Sequence, residues 1–154
     1  MKFTLITHSP GETKKIGKTF ARYLKSGDVV ALEGRLGAGK TTLVKGIAKG
    51  LGVKNERAVS SPTFVLMHEY SGREKIRHLD WYRLSRVEGV DAEMAEECFY
   101  SGAVTLVEWP QKGRTLLPSP ALRIQISHQG GDKRSLRFWL PAGTAGAFRE
   151  ALKS

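Results

Sequence analysis

The chain has 154 residues, 40% hydrophobic and 26% charged, with 25 Lys and Arg against 15 Asp and Glu for a formal net charge of +10. That is about one domain with enough apolar residues for a core, which excludes wholesale disorder. Apolar runs reach only about five residues where a membrane-spanning helix needs roughly 20, and a single cysteine, Cys98, excludes a disulfide framework or a cysteine-built zinc site. Residues 1–10 carry one Lys and no apolar leader segment, so a cytoplasmic, non-membrane protein is expected.

In chain order, residues 3–6 predict a short strand, and Ser9-Pro10-Gly11-Glu12 matches a capping box with proline at the first helical position. Ile16, Phe20, Ala21 and Leu24 continue at helical spacing until Gly27. Residues 28–33 form an apolar run read as a buried parallel strand. A Gly-rich turn follows, then a helix over about 39–51, stopped by Gly52. Residues 63–70 and 75–80 read as an antiparallel hairpin about Ser71-Gly72-Arg73-Glu74. An acidic helix over 91–99 has Asp91 as its N-cap, and residues 103–108 form a second buried strand. Residues 122–127 and 136–140 alternate in polarity about a Gly130-Gly131-Asp132 turn, and a helix over 144–153 closes the chain. The pattern predicts one α/β domain over 1–154, a mainly parallel sheet flanked by helices with antiparallel hairpins at its edge.

Charge is unevenly spread. Residues 1–54 carry a net +8, residues 55–110 a net −4 and residues 111–154 a net +6. A basic chain with an acidic middle suggests a polyanionic partner and a surface of opposite sign, although a merely soluble surface gives the same count.

Gly34-Arg35-Leu36-Gly37-Ala38-Gly39-Lys40-Thr41 fits G-x-x-x-x-G-K-[ST], between a predicted buried strand and a predicted helix. Glycines let successive N–H groups turn toward one anion, and the helix N-terminus adds free donors and a positive dipole end. Lys40 places a compact charge on the β- and γ-phosphates, and Thr41 offers a hydroxyl to Mg²⁺. This predicts a nucleoside triphosphate site. Such sites need a carboxylate near the metal or the nucleophile. Glu108 closes an apolar strand and Asp80 closes the hairpin strand. Thr63 either starts a strand or lies where a switch threonine approaches the γ-phosphate.

Leu36-Gly37-Ala38-Gly39-Lys40-Thr41-Thr42, Ser61-Pro62-Thr63-Phe64-Val65-Leu66 with Tyr70, His78-Leu79-Asp80-Trp81-Tyr82-Arg83-Leu84 and Glu108-Trp109-Pro110 occur in that order. Together they resemble the TsaE (YjeE) family, P-loop ATPases of bacterial tRNA threonylcarbamoyladenosine biosynthesis. The likeness spans about residues 9–110; Trp81 stands where the family usually has leucine. It implies ATP and Mg²⁺ as cofactors, with Thr41 and Glu108 on the metal and Asp80 an acid near the nucleotide. It also implies TsaD and TsaB as partners, with tRNA met through the complex, and an accessory rather than group-transferring role. Residues 37–42, namely Gly37, Ala38, Gly39, Lys40, Thr41 and Thr42, would bind nucleotide, with Thr63 in a switch-like segment and Trp109 beside the site. Ser9 and Arg134 are the matching positions from the first strand–helix loop and the late hairpin. From its own neighbours, Ser9 reads as a helix cap, and Arg134 reads equally as a solvated charge.

For hydrolysis, Lys40 and Mg²⁺ would neutralise the γ-phosphate, and Asp80 or Glu108 would orient the water. Arg83 and Arg86 read as solvated loop charges, so no arginine finger is evident and slow hydrolysis completed by a partner is expected. ATP over GTP rests on the resemblance, with no guanine-reading N-K-x-D present. The alternatives are a small-molecule P-loop kinase and a nucleotide-gated RNA-binding module. The four histidines share no metal-binding spacing. Cys98, after Glu96 and Glu97, is expected to be inert. Phe138 and Trp139 among Arg134 and Arg137 read either as a hairpin packed on one side or as an RNA-stacking face.

Overall fold

A computed structural model describes residues 1–119 and 121–154. Its strands are β1 (Lys2–Thr7), β2 (Val29–Glu33), β3 (Met67–Ser71), β4 (Lys75–Asp80), β5 (Val104–Glu108), β6 (Leu122–His128) and β7 (Arg134–Trp139). All seven join one sheet in the order β1-β7-β6-β2-β5-β4-β3. The central β6, β2, β5 and β4 run parallel, while β3 and β7–β1 add antiparallel pairs at the two ends. The apolar runs of β2 and β5 are buried on both faces, as central parallel strands require.

Helices α1 (Pro10–Phe20), α2 (Lys40–Gly50) and α4 (Ala142–Ala151) cover one face. There Phe20, Leu43, Ile47 and Phe148 pack on Val30, Leu106, Ile124 and Phe138. Helix α3 (Gly89–Phe99) and the 3-10 segment Pro110–Leu116 cover the other face over β2, β5 and β4. Trp81 is fully buried in this second core, edge-on to Phe99 at 6.5 Å. Gly113 makes room for it: a Cβ there would lie 2.9 Å from Val87 and 3.0 Å from the indole. No helix is long and apolar enough to cross a membrane among the described residues.

Several predicted boundaries move for local reasons. The strand expected from residue 63 begins at Met67, because residues 62–66 turn first. Leu66 N donates to Pro62 O at 2.7 Å, and Leu66 takes a positive φ of 69°. Helix α3 starts at Gly89 behind Glu88 rather than behind Asp91. The last helix begins directly after Pro141 and ends at Ala151. The first helix gives way at Ala21–Tyr23 to a 3-10 turn. Ser9 does cap α1, accepting from Glu12 N at 3.1 Å, but the carboxylate of Glu12 returns to His8 N at 2.6 Å rather than to Ser9 N.

Candidate functional site

Strand β2 runs straight into the Gly-rich loop, and Gly37 (φ 78°) and Gly39 (φ 107°) take the left-handed conformation that turns the backbone into a cradle. Helix α2 opens at Lys40, so its free N–H groups and positive dipole end face the same space. Lys40 is buried; its ammonium donates to Gly34 O and lies 4.3 Å over the Trp109 ring. Burial pushes this ammonium below the ordinary lysine value, and the carboxylates of Glu108 and Asp80 pull the other way.

Those two acids are brought together by strand register. In the parallel β4–β5 pair Asp80 stands directly opposite Glu108, and the two residues are 3% and 2% exposed. Asp80 accepts from Thr63 Oγ1 at 3.1 Å and from Tyr82 N at 2.9 Å. Glu108 Oε2 accepts from His78 Nε2 at 2.6 Å and Ser61 Oγ at 2.9 Å, and Ser61 Oγ lies 2.9 Å from Thr41 Oγ1. Burial alone would raise the Glu108 carboxyl, but His78, Ser61 and Lys40 hold it below its ordinary value.

A cleft of about 330 Å³ collects these groups, lined by residues of the loop, of the 61–63 turn and of the β4 and β5 ends. Every predicted site residue lines it except Ser9, whose side chain serves the helix cap. Thr63 sits in the turn before β3, not in a strand. Arg134, left between two readings by its neighbours, is tied to the loop: its Nε donates to Ala38 O at 2.8 Å. Trp109 adopts a left-handed backbone (φ 58°) and packs its ring on Tyr82 at 5.0 Å. Arg83 lies over the Phe64 ring at 4.7 Å and Arg86 pairs with Glu88 at 3.0 Å; neither lines the cleft.

His78 and Ser61 carry parts that sequence reasoning had not assigned. His78 is fully buried between Glu108 and Tyr70, with Nδ1 3.2 Å from the tyrosine hydroxyl, which donates to Ser60 O at 2.9 Å. The chain Tyr70–His78–Glu108–Ser61–Thr41 thus links edge strand, central strand and loop helix. The available signal was β4 alternation, since His78 shares a face with Asp80 two residues on. Cys98 is buried, and burial pushes its thiol up while Arg77 pulls it down, consistent with the inert role expected. Among the described residues no group of three His, Cys, Asp or Glu is arranged to hold a metal. A magnesium ion does not need one, because it binds one or two protein oxygens together with phosphate oxygens and water.

Comparisons with known proteins agree on a family. The family model described as threonylcarbamoyl adenosine biosynthesis protein TsaE matches residues 7–136. The tRNA threonylcarbamoyladenosine biosynthesis protein TsaE of Bacillus subtilis (strain 168) is 44% identical over 133 residues, covering 86% of this chain and 82% of that protein. The protein of the same name from Treponema pallidum is 39% identical over 121 residues, covering 79% and 88%. A solved structure, the crystal structure of Bacillus subtilis YdiB, superposes with a TM-score of 0.76 at 36% identity, covering 99% of this chain and 95% of that one.

Proposed function

The chain belongs to the TsaE family, and from that premise we propose that it serves tRNA threonylcarbamoyladenosine biosynthesis as a magnesium-dependent ATPase acting with TsaD and TsaB. The observation that carries this reading is the pair of buried acids, Asp80 and Glu108, side by side across β4–β5 and facing the loop that holds Lys40 and Thr41. An anion-binding loop alone fits any P-loop protein; an acid pair at its mouth equips it for phosphoryl chemistry.

The oxygens of Thr41, Ser61 and Glu108 form a hard, all-oxygen donor set that suits Mg²⁺. Thr41 and Glu108 would hold the ion, which when bound supplies positive charge against the β- and γ-phosphates. The remaining work falls to the chain. Loop N–H groups bind phosphate oxygens, and Lys40 exchanges Gly34 O for them. His78 and Ser61 keep the Glu108 carboxylate ionised and aimed. Asp80, held by Thr63 and by the Tyr82 N–H, is free of that arrangement and orients the attacking water. Arg83 and Arg86 lie outside the cleft, and Arg134, which lines it, gives its Nε to Ala38 O; on this reading hydrolysis by the isolated chain is slow and a partner supplies what is missing.

Single-turnover ATP hydrolysis tests this directly, with and without TsaD and TsaB, for wild type and for Glu108→Ala and Asp80→Asn. Stimulation by the partners, lost in both variants, is expected. Equal rates with and without partners would refute the partnership. A phosphorylated metabolite in place of free phosphate would favour the kinase alternative.

A further inference from the structure

Across β1, β7 and β6 the sheet face opposite α1, α2 and α4 is open. Lys2, Thr4, Ile6, Ser127 and Arg137 are exposed there, and Arg123, Gln125 and Trp139 are half-buried. A polar face on an antiparallel sheet needs no special explanation. Its sign does. The outward positions of these three strands hold Lys2, Arg137 and Arg123 and no acid. The neighbouring Glu33 on β2 is already engaged, by Arg123 at 2.7 and 2.9 Å and by Arg114 at 3.5 Å. The ion pairs among the described residues leave Lys2 and Arg137 without a carboxylate.

At one end of this basic face, on its middle strand, is an aromatic. Trp139 stands between Lys2 and Arg123 in the strand ladders, with the Arg123 guanidinium stacked 4.0 Å over its ring and Arg137 at 6.0 Å. One step along β7, Arg137 stands between Thr4 and Gln125, which bring hydrogen-bonding groups that suit base edges and sugar hydroxyls. The face continues toward the loop of the nucleotide site. Gln125, Ser127 and His128 line a cleft of about 540 Å³ together with Gly34, Arg35 and Leu36 of the Gly-rich loop. A polyanion along this sheet therefore reaches exposed Arg35, which also lines the nucleotide cleft.

We propose that this open face binds single-stranded RNA, with Trp139 and the Arg123 guanidinium as the stacking surface and Lys2, Arg137 and Arg35 as phosphate contacts. Lys2 and Arg137, which no carboxylate pairs among the described residues, select a polyanion, and the half-buried ring with its stacked guanidinium selects one with unpaired bases. The choice of RNA over other polyanions rests on the tRNA-biosynthesis reading above. Binding needs neither ATP nor Mg²⁺, so its failure is separable from failure of the ATPase reading.

The test is fluorescence anisotropy of the full chain, without nucleotide or metal, against a labelled single-stranded oligoribonucleotide, its duplex and a tRNA transcript at several salt concentrations. Arg137→Glu is expected to weaken single-strand binding at least about tenfold and to lower the salt slope by about one. Trp139→Leu is expected to weaken it about tenfold while leaving the salt slope in place. Both variants should keep wild-type ATP affinity, which reports an intact fold. Equal binding of single strand and duplex would overturn the proposal. So would wild-type RNA affinity in both variants, or displacement of RNA by poly-glutamate as effectively as by unlabelled RNA, which would mark the face as one for an acidic protein.

Discussion

Replacing His78 with phenylalanine isolates what the buried imidazole does for Glu108. The two rings are similar in size, so little cavity is created, but two polar contacts vanish: Nε2 to Glu108 at 2.6 Å and Nδ1 to Tyr70 at 3.2 Å. A hydrogen bond to a charged group contributes about 1.5–3 kcal/mol and a neutral one about 1 kcal/mol. Ser61 still donates to the carboxylate, so the expected loss is roughly 2–4 kcal/mol, toward the low side of the cost of stripping a buried ion of its partner. For a chain of this length that corresponds to a fall in Tm of roughly 5–15 °C. Urea and thermal unfolding at neutral pH, without nucleotide, measure it. His78→Gln, whose amide can still donate, should recover part of the loss. The variant should also change the acid limb of the stability curve. In the wild type, Glu108 lies below its ordinary value of 4.5. Its contribution is therefore complete above that pH and is lost as pH falls through the lower folded value. Phenylalanine flattens this limb, so the gap between variant and wild type narrows on acidification. A destabilisation below about 0.5 kcal/mol, with glutamine no better than phenylalanine, would refute the idea that His78 holds the carboxylate.

Other positions have equally definite expected outcomes. Lys40→Met should weaken ATP binding at least about tenfold by removing a charge aimed at phosphate oxygens. Because the ammonium lies 4.3 Å over Trp109, ATP should change tryptophan fluorescence in wild type but not in Trp109→Phe, as a titration will show. Gly46→Ala should destabilise by about 1–3 kcal/mol in urea although alanine is the better helix former, because its Cβ meets the Lys14 backbone, with Cα at 2.8 Å; a gain in stability would refute the close α1–α2 packing. Trp81→Phe should cost less than about 1 kcal/mol, far under the usual penalty for shrinking a core ring, because it removes a buried indole N–H that has no partner among the described residues; calorimetric melting decides this.

For the phosphate loop the physics is local, and residue order sufficed. Gly37, Gly39, Lys40 and Thr41 lie within one turn and one helix start, so their spacing alone implied an anion cradle, and the observed positive φ values follow it. The capping of α1 by Ser9 is equally local. The alternation of β6 and β7 foretold a hairpin, and in the structure Phe138 is buried while Trp139 is half-buried on the other face. Thr63 was less legible, because a turn and a strand start look alike until Leu66 closes back on Pro62.

Contacts across long stretches of chain were decided by tertiary structure. Asp80 and Glu108 could be picked out as strand-end acids, but only the parallel pairing of β4 with β5 makes them neighbours. The pairing of His78 with Glu108 was not legible among four histidines without common spacing, because the two lie 30 residues apart. Arg134 had two readings until β7 and the β6–β7 turn brought its guanidinium to Ala38 O, 96 residues distant. Strand order is the reason. Dihedral preference and side-chain periodicity act over a few residues, whereas which strands lie adjacent depends on burying both faces of the whole sheet at once.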